Sequence, residues 1–229
     1  MADHAQHPAR PAAHGEDVSA EEDVSAETGA AERLFAAPCA FFHAAQTLAQ
    51  LPPTGPTEVA FAGRSNVGKS SLLNALVGRR ALARVSTRPG RTRQLNFFDL
   101  GGRLTLVDMP GYGYAEAPKA LQADWQGMMF DYLRGRPTLR RVLLLLDSRI
   151  ELKPSDHAVM DLLDKAAVTY QLVLTKADAP KADVLAAKQA EVTALARAHA
   201  AAHPEILVTS AETGAGLAAL RLTLAGLAA

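Results

Sequence analysis

This chain of 229 residues has one cysteine, Cys39, and one tryptophan, and aromatic residues make up only 5% of it. A single thiol excludes an internal disulfide framework and fits a reducing compartment. No apolar run approaches the roughly 18 residues of a membrane span. The first residues lack a basic stretch followed by an apolar one, so no secretory signal is read there and a cytoplasmic protein is expected. Net charge is also missing, with 24 basic and 24 acidic residues. That balance hides an uneven distribution. Residues 1–30 carry seven acids against the single base Arg10, leaving 23 bases and 17 acids for the rest. The remainder is mildly basic, which leaves room for an anionic partner.

What is present is a globular composition, 48% hydrophobic and 21% charged. Residues 1–33 are rich in Ala and Glu and repeat Glu-Asp-Val-Ser-Ala at 16 and 22. They hold too little apolar surface to offset ordering entropy and read as a disordered acidic tail. Residues 34–56 read as an N-terminal extension leading into the domain, apolar and partly helical from Leu34 to Leu51 and broken by Pro52-Pro53-Thr54-Gly55-Pro56. From 57 to 229 strands and helices alternate, giving one nucleotide-binding-sized domain. Strands are expected at 58–62, 95–99, 103–107, 142–147, 171–175 and 206–209, with Gly101-Gly102 turning a hairpin. Helices are expected near 69–77, 118–134, 155–167, 181–202 and 214–227. This pattern predicts an α/β fold with a mostly parallel central sheet, one antiparallel hairpin strand and helices on both faces. Ligands on such sheets sit at the carboxyl ends of the strands.

The motifs fall at those ends. Gly63-Arg64-Ser65-Asn66-Val67-Gly68-Lys69-Ser70 fits G-x-x-x-x-G-K-[ST] between a strand and a helix, the context a phosphate-binding loop requires. Backbone N–H groups would cradle the phosphates, Lys69 would bring charge to them, and the Ser70 hydroxyl would ligate Mg²⁺. Thr175-Lys176-Ala177-Asp178 selects the base: an ionised Asp178 accepts from guanine N1–H and the exocyclic amine, a donor pair adenine lacks. Asp108-Met109-Pro110-Gly111 follows the hairpin. Its aspartate can reach Mg²⁺, directly or through water, and its glycine N–H the γ-phosphate. Thr92, within Gly90-Arg91-Thr92-Arg93-Gln94, is placed to become a second Mg²⁺ ligand when a γ-phosphate is bound. Ser210-Ala211-Glu212 follows the last strand, where a backbone N–H can touch the base.

These segments, in this order, resemble the translation-factor-type GTPases, P-loop proteins of the GTPase fold. Asn96-Phe97-Phe98, Val107-Asp108-Met109-Pro110-Gly111-Tyr112-Gly113-Tyr114-Ala115, Trp125, Tyr132-Leu133 and Asp147-Ser148-Arg149 narrow the likeness to the EngB (YihA/YsxC) ribosome-biogenesis GTP-binding proteins. The resemblance runs from about residue 35 to the C-terminus. It implies a GTP/GDP switch with GTPase activity, Mg²⁺ as cofactor, a monomer, the large ribosomal subunit or its precursor as partner, and a role in cell division and septation. The family usually has Thr and Gln where this chain has Arg88 and Arg93.

No side chain is assigned as the catalytic group. A glutamine orients the attacking water in many GTPases, but Tyr112 stands at that position and has no amide. Slow intrinsic hydrolysis, stimulated by a partner or ion, is therefore expected. Asn66 resembles the P-loop asparagine through which related GTPases bind K⁺, and equally suits a turn residue tolerating positive φ. Arg79, Arg80, Arg84, Arg88, Arg91 and Arg93, with Arg134, Arg136, Arg140 and Arg141, read either as solvated surface or as an RNA-facing set. His199 and His203 lie four apart without a third ligand and read as a solvated helix face. Two other classes stay open: a metabolic P-loop kinase, which has no use for Asp178, and a septum-associated nucleotide-binding scaffold.

Overall fold

The core strands are runs of leucine, valine and alanine buried from both sides. In β5 (Leu139–Asp147), Leu143 and Leu145 enter the apolar cluster on one face of the sheet while Leu144 and Leu146 enter the other. That alternation is the period-two geometry of a strand covered by helices on both faces. The computed structural model describes residues 16–79, 82, 94–112 and 119–228, apart from the side chains of 16–24 and 119–126.

The elements run α1 (Glu16–Ala36), β1 (Cys39–Ala45), β2 (Thr57–Gly63), α2 (Lys69–Leu76), β3 (Leu95–Leu100), β4 (Leu104–Asp108), α3 (Lys119–Gly135), β5, α4 (Pro154–Ala166), β6 (Tyr170–Thr175), α5 (Ala182–Arg197), β7 (Leu207–Val208) and α6 (Leu217–Leu227). The sheet order is β1-β3-β4-β2-β5-β6-β7. β3 is antiparallel to both neighbours, β1 and β4, and every other pairing is parallel. The expected single antiparallel strand is therefore β3. Its turn to β4 uses Gly101 and Gly102, both at positive φ (60° and 66°), where a side chain would be strained.

The sequence understated the N-terminal region in two ways. Helix α1 occupies Glu16–Ala36, where a disordered tail was expected as far as residue 33. Alanine and glutamate favour helix, and Ala31, Leu34 and Phe35 are buried at its C-terminal end, on the face of the sheet shared with α6. The extension 34–56 also does more than lead into the domain, since it supplies β1, an edge strand paired with β3. Residues 1–15 lie outside the described residues.

At the amino end of β2 a buried carboxylate ties three elements together. Glu58 accepts from Arg136 Nε (2.8 Å) and Nη2 (2.5 Å), from Thr138 Oγ1 (2.9 Å) and from the Tyr132 hydroxyl (3.1 Å). Arg136 Nη1 also donates to the Pro52 carbonyl at 2.8 Å, which anchors the proline break. At the other end of the chain, α5 stops at Arg197 rather than near 202. His199 then leaves the helix, with Nδ1 2.7 Å from Asp164 Oδ2, and the Ala201 N–H is taken by Asp164 Oδ1 at 3.0 Å. A carboxylate from α4 thus ends α5, and His199 and His203 do not share a helix face.

Candidate nucleotide-binding site

The loop between β2 and α2 is shaped by close contacts that only small residues allow. A Cβ on Gly63 would lie 2.8 Å from Val67 Cγ1 and 3.1 Å from Leu145 Cβ. Asn66 and Gly68 take positive φ, 65° and 103°, which turns the chain into the N-terminus of α2. The loop is held from β6. Thr175 Oγ1 donates to the Val67 carbonyl at 2.6 Å, and Lys176 Nζ donates to the Asn66 carbonyl at 2.7 Å. The Lys176 stem runs alongside, with its Cε 3.5 Å from where a Gly68 Cβ would be. These bonds bring two motifs about a hundred residues apart into one site.

Lys176 Nζ also donates to Asp147 Oδ2 at 2.8 Å, and Ser148 Oγ donates to the Lys176 carbonyl at 3.0 Å. Burial would raise the Asp147 carboxyl. The hydrogen bonds from Arg149 and Lys176 outweigh it and hold that group at about 2, so it stays an anion. Asp147 and Ser148 were not among the predicted site residues. Their position directly after a buried strand, at its carboxyl end, was the available signal.

Asp178 is oriented rather than free. Thr213 N–H donates to Ser210 Oγ (3.1 Å), whose hydroxyl donates to Asp178 Oδ1 (2.5 Å). Ser210 N–H is spent on the Ala215 carbonyl at 2.9 Å, so Ser210 reaches Asp178 through its side chain and has no backbone N–H to offer a ligand. Ala177 is fixed by its N–H to the Thr209 carbonyl, 3.1 Å.

On the phosphate side the Lys69 ammonium pairs with Asp108, both mostly buried. Met109 and Pro110 are buried, and Met109 N–H donates to the Phe61 carbonyl at 3.0 Å, so these two residues can offer only backbone to a ligand. Gly111 packs against Ser65, since a Cβ there would lie 2.8 Å from Ser65 Oγ. Tyr112, the residue in place of a water-orienting glutamine, turns its phenol inward to Asp156 Oδ1 at 3.0 Å. Gln94 donates to Asn96 Oδ1 at 2.9 Å and accepts from Gln46, which makes it a brace at the head of β3. Gly90, Arg91, Thr92 and Arg93 lie outside the described residues.

A protein-family model described as "50S ribosome-binding GTPase" matches residues 58–176. A "Probable GTP-binding protein EngB" of Granulibacter bethesdensis is 62% identical over 213 residues, covering 93% of this chain and 96% of the relative. One of the same description from Gluconobacter oxydans is 66% identical over 192 residues, covering 84% and 85%. The chain belongs to the EngB family of GTP-binding proteins.

As an EngB-family member it binds GTP and GDP and is a GTP-hydrolysing enzyme, which removes the kinase alternative. Two solved structures show the fold. A crystal structure of a probable EngB superposes with TM-score 0.53 at 20% identity, covering 75% of this chain and 98% of that one. A point variant of Aquifex aeolicus Era bound to GDP.AlF4- superposes with TM-score 0.58 at 22% identity, covering 76% and 57%.

The EngB site suits Mg²⁺ through hard oxygen ligands, the Ser70 hydroxyl and the Asp108 carboxylate, in the small number that Mg²⁺ takes from protein when phosphates supply the rest. Among the described residues no three His, Cys, Asp or Glu side chains cluster as a self-sufficient metal site. Asn66 is accounted for as the turn residue, its carbonyl occupied by Lys176, and K⁺ gains no support. The arginines divide. Arg79, Arg134 and Arg140 are exposed. Arg136 is consumed by Glu58, and Arg141 Nη1 donates to Gln171 Oε1 at 2.9 Å, so these two are structural and leave the RNA-facing set. The remaining five lie outside the described residues. Among the described residues no helix is long and apolar enough to cross a membrane.

Lys69 and Ser70 should be separable by metal titration. If Ser70 ligates the metal, Ser70→Ala should lose GTP affinity, about tenfold at low Mg²⁺, and the loss should ease as Mg²⁺ rises. Lys69→Ala removes phosphate charge and frees Asp108, and its loss should persist at every Mg²⁺ level. Superimposable Mg²⁺ titrations of the two variants would count against the separate roles.

Proposed function

We propose that this protein is a Mg²⁺-dependent GTP switch of slow intrinsic hydrolysis that assists assembly of the large ribosomal subunit and supports cell division and septation. The observation that carries the switch reading is the convergence of Lys69, Asp108, Lys176 and Asp178 at the carboxyl edge of one sheet. The family's description as ribosome-binding supports the partner.

The chemistry follows from the pairings. Lys69 and Asp108 neutralise one another across the phosphate position, so phosphates must draw Lys69 away. Asp108 and Ser70 would then be the residues that hold the metal. Mg²⁺ supplies charge to the phosphate oxygens when bound. Thr92 would be a further ligand when a γ-phosphate is present, and the arginines of 84–93 are the groups that would meet RNA phosphates. Hydrolysis is slow because the phenol of Tyr112 faces Asp156 instead of an attacking water. The protein works as a monomer in the cytoplasm.

Co-sedimentation with large ribosomal subunits tests this reading. Binding should be stronger with GTP than with GDP and should weaken as salt rises, because contacts to RNA phosphates release counterions. Thr92→Ala should keep GDP affinity and lose the gain that GTP confers. A ligand shifts a switch only by its differential affinity for the two states. Equal binding in both nucleotide states would therefore remove the switch role, and no subunit binding in either would favour the septal scaffold.

A further inference from the structure

Tyr112 holds the Asp108–Gly111 loop from two directions. Its backbone bridges the P-loop: Tyr112 N–H donates to the Gly63 carbonyl and Ser65 N–H donates to the Tyr112 carbonyl, each at 3.3 Å. The residue is 8% exposed, and the phenol donates to Asp156 Oδ1. Asp156 is itself 3% exposed, and its other oxygen accepts the Lys153 N–H at 2.8 Å, capping the first turn of α4. Both Asp156 oxygens are thus occupied, one by the helix and one by the loop. A buried carboxylate with each oxygen held by a different element is a stiff anchor. Burial and the neighbouring Asp156 push the Tyr112 phenol far above its ordinary range, so it remains a donor throughout the physiological range.

Arg64 completes the arrangement. It lines a cleft of about 210 Å³ together with Asp156, Asp147 and Arg149, and its Nη1 is buried with no hydrogen-bond partner among the described residues. Its charge reaches Tyr112. A spare guanidinium donor therefore stands in the same cleft as the carboxylate that Tyr112 occupies.

We propose that Tyr112 is a positioning residue for the GTPase reaction, latching the Asp108–Gly111 loop to the P-loop and, through Asp156, to α4. It acts through Asp108 and Gly111, the groups assigned to the metal and the γ-phosphate, and so the proposal rests on that assignment. Because those contacts are made to the triphosphate state, the latch favours GTP over GDP.

Tyr112→Phe tests it. The ring still fills the core, and the Asp156 oxygen it releases has Arg64 in the same cleft as an alternative donor, so folding is expected to survive. Affinity for a non-hydrolysable GTP analogue with Mg²⁺ should fall about ten- to hundredfold, the worth of one hydrogen bond to a charged group. GDP affinity should change less than about threefold, and single-turnover hydrolysis should slow with the analogue affinity. An unchanged ratio of GTP-analogue to GDP affinity would overturn the proposal. So would an equal loss for both nucleotides with a lowered melting temperature, which is what a purely structural role predicts. Wild-type hydrogen exchange provides the second measurement. The Ser65 and Tyr112 amides should stay protected with the GTP analogue bound, and their opening in that state would overturn the latch even if Tyr112→Phe failed to fold. Failure of the wild type to bind GDP is the separate result that sinks the nucleotide-site assignment, and the latch with it.

Discussion

Asp178→Asn is expected to reverse the base preference, swinging the GTP-to-XTP affinity ratio by about a thousandfold. The direction follows from a chain of donors. Thr213 N–H fixes the Ser210 hydroxyl as a donor toward Asp178 Oδ1, so an asparagine in the same rotamer must place its oxygen there. The amide nitrogen then replaces the other carboxylate oxygen. Facing guanine, that nitrogen meets the exocyclic amine, donor against donor. Facing xanthine it meets a carbonyl and donates to it. Because the groups are desolvated on binding, a mismatched pair costs far more than a missing contact at the surface. Competition binding with GTP, XTP and ATP checks this, and unchanged GTP selectivity in a folded variant would remove Asp178 as the base reader. Ser210→Ala should blunt the swing, since nothing then orients the asparagine.

The second large effect lies at the opposite end of β2. Glu58→Ala is expected to destabilise the fold by about 3–5 kcal/mol, because it strands a buried guanidinium. Arg136 and Glu58 are 7% and 2% exposed, and the same carboxylate also serves Tyr132 and Thr138. For a chain of this size the loss corresponds to a fall of roughly 6–20 °C in melting temperature. Glu58→Gln keeps an acceptor and should cost less. Glu58 lies at the start of β2 and Gly63 ends it, so GDP affinity measured well below the transition should be nearly unchanged. A melting temperature within a degree or two of wild type would show that solvent reaches Arg136 and that the pair is not a structural staple.

Helices and strands whose cores are formed by one continuous pattern were legible in the sequence. The expected strand 142–147 became β5, and Lys69 begins α2 as expected. The P-loop was legible for the same reason: its residues act together because they are consecutive. β1 was not legible, since Cys39–Ala45 mixes exposed Phe41 and Phe42 with buried ends and carries a register shift between Phe41 and His43. An edge strand covered on few sides leaves a weak pattern. The part of α1 before residue 34 was not legible because composition records its low apolar content but not the surface on which Ala31 is buried.

The alternation of strands and helices and the loop between β2 and α2 were written in the chain, because each shows as a pattern of residues close along it. Which charges meet was settled only on folding. Lys176 with Asp147, Ser210 with Asp178, Tyr112 with Asp156 and Arg136 with Glu58 are separated by 29, 32, 44 and 78 residues. A polar side chain can be seen from sequence to need a partner once it is buried. Which partner it finds depends on strand order and helix placement, and those arise from burying the whole apolar surface at once. That is why Arg136 looked available for RNA and proved to be part of the core.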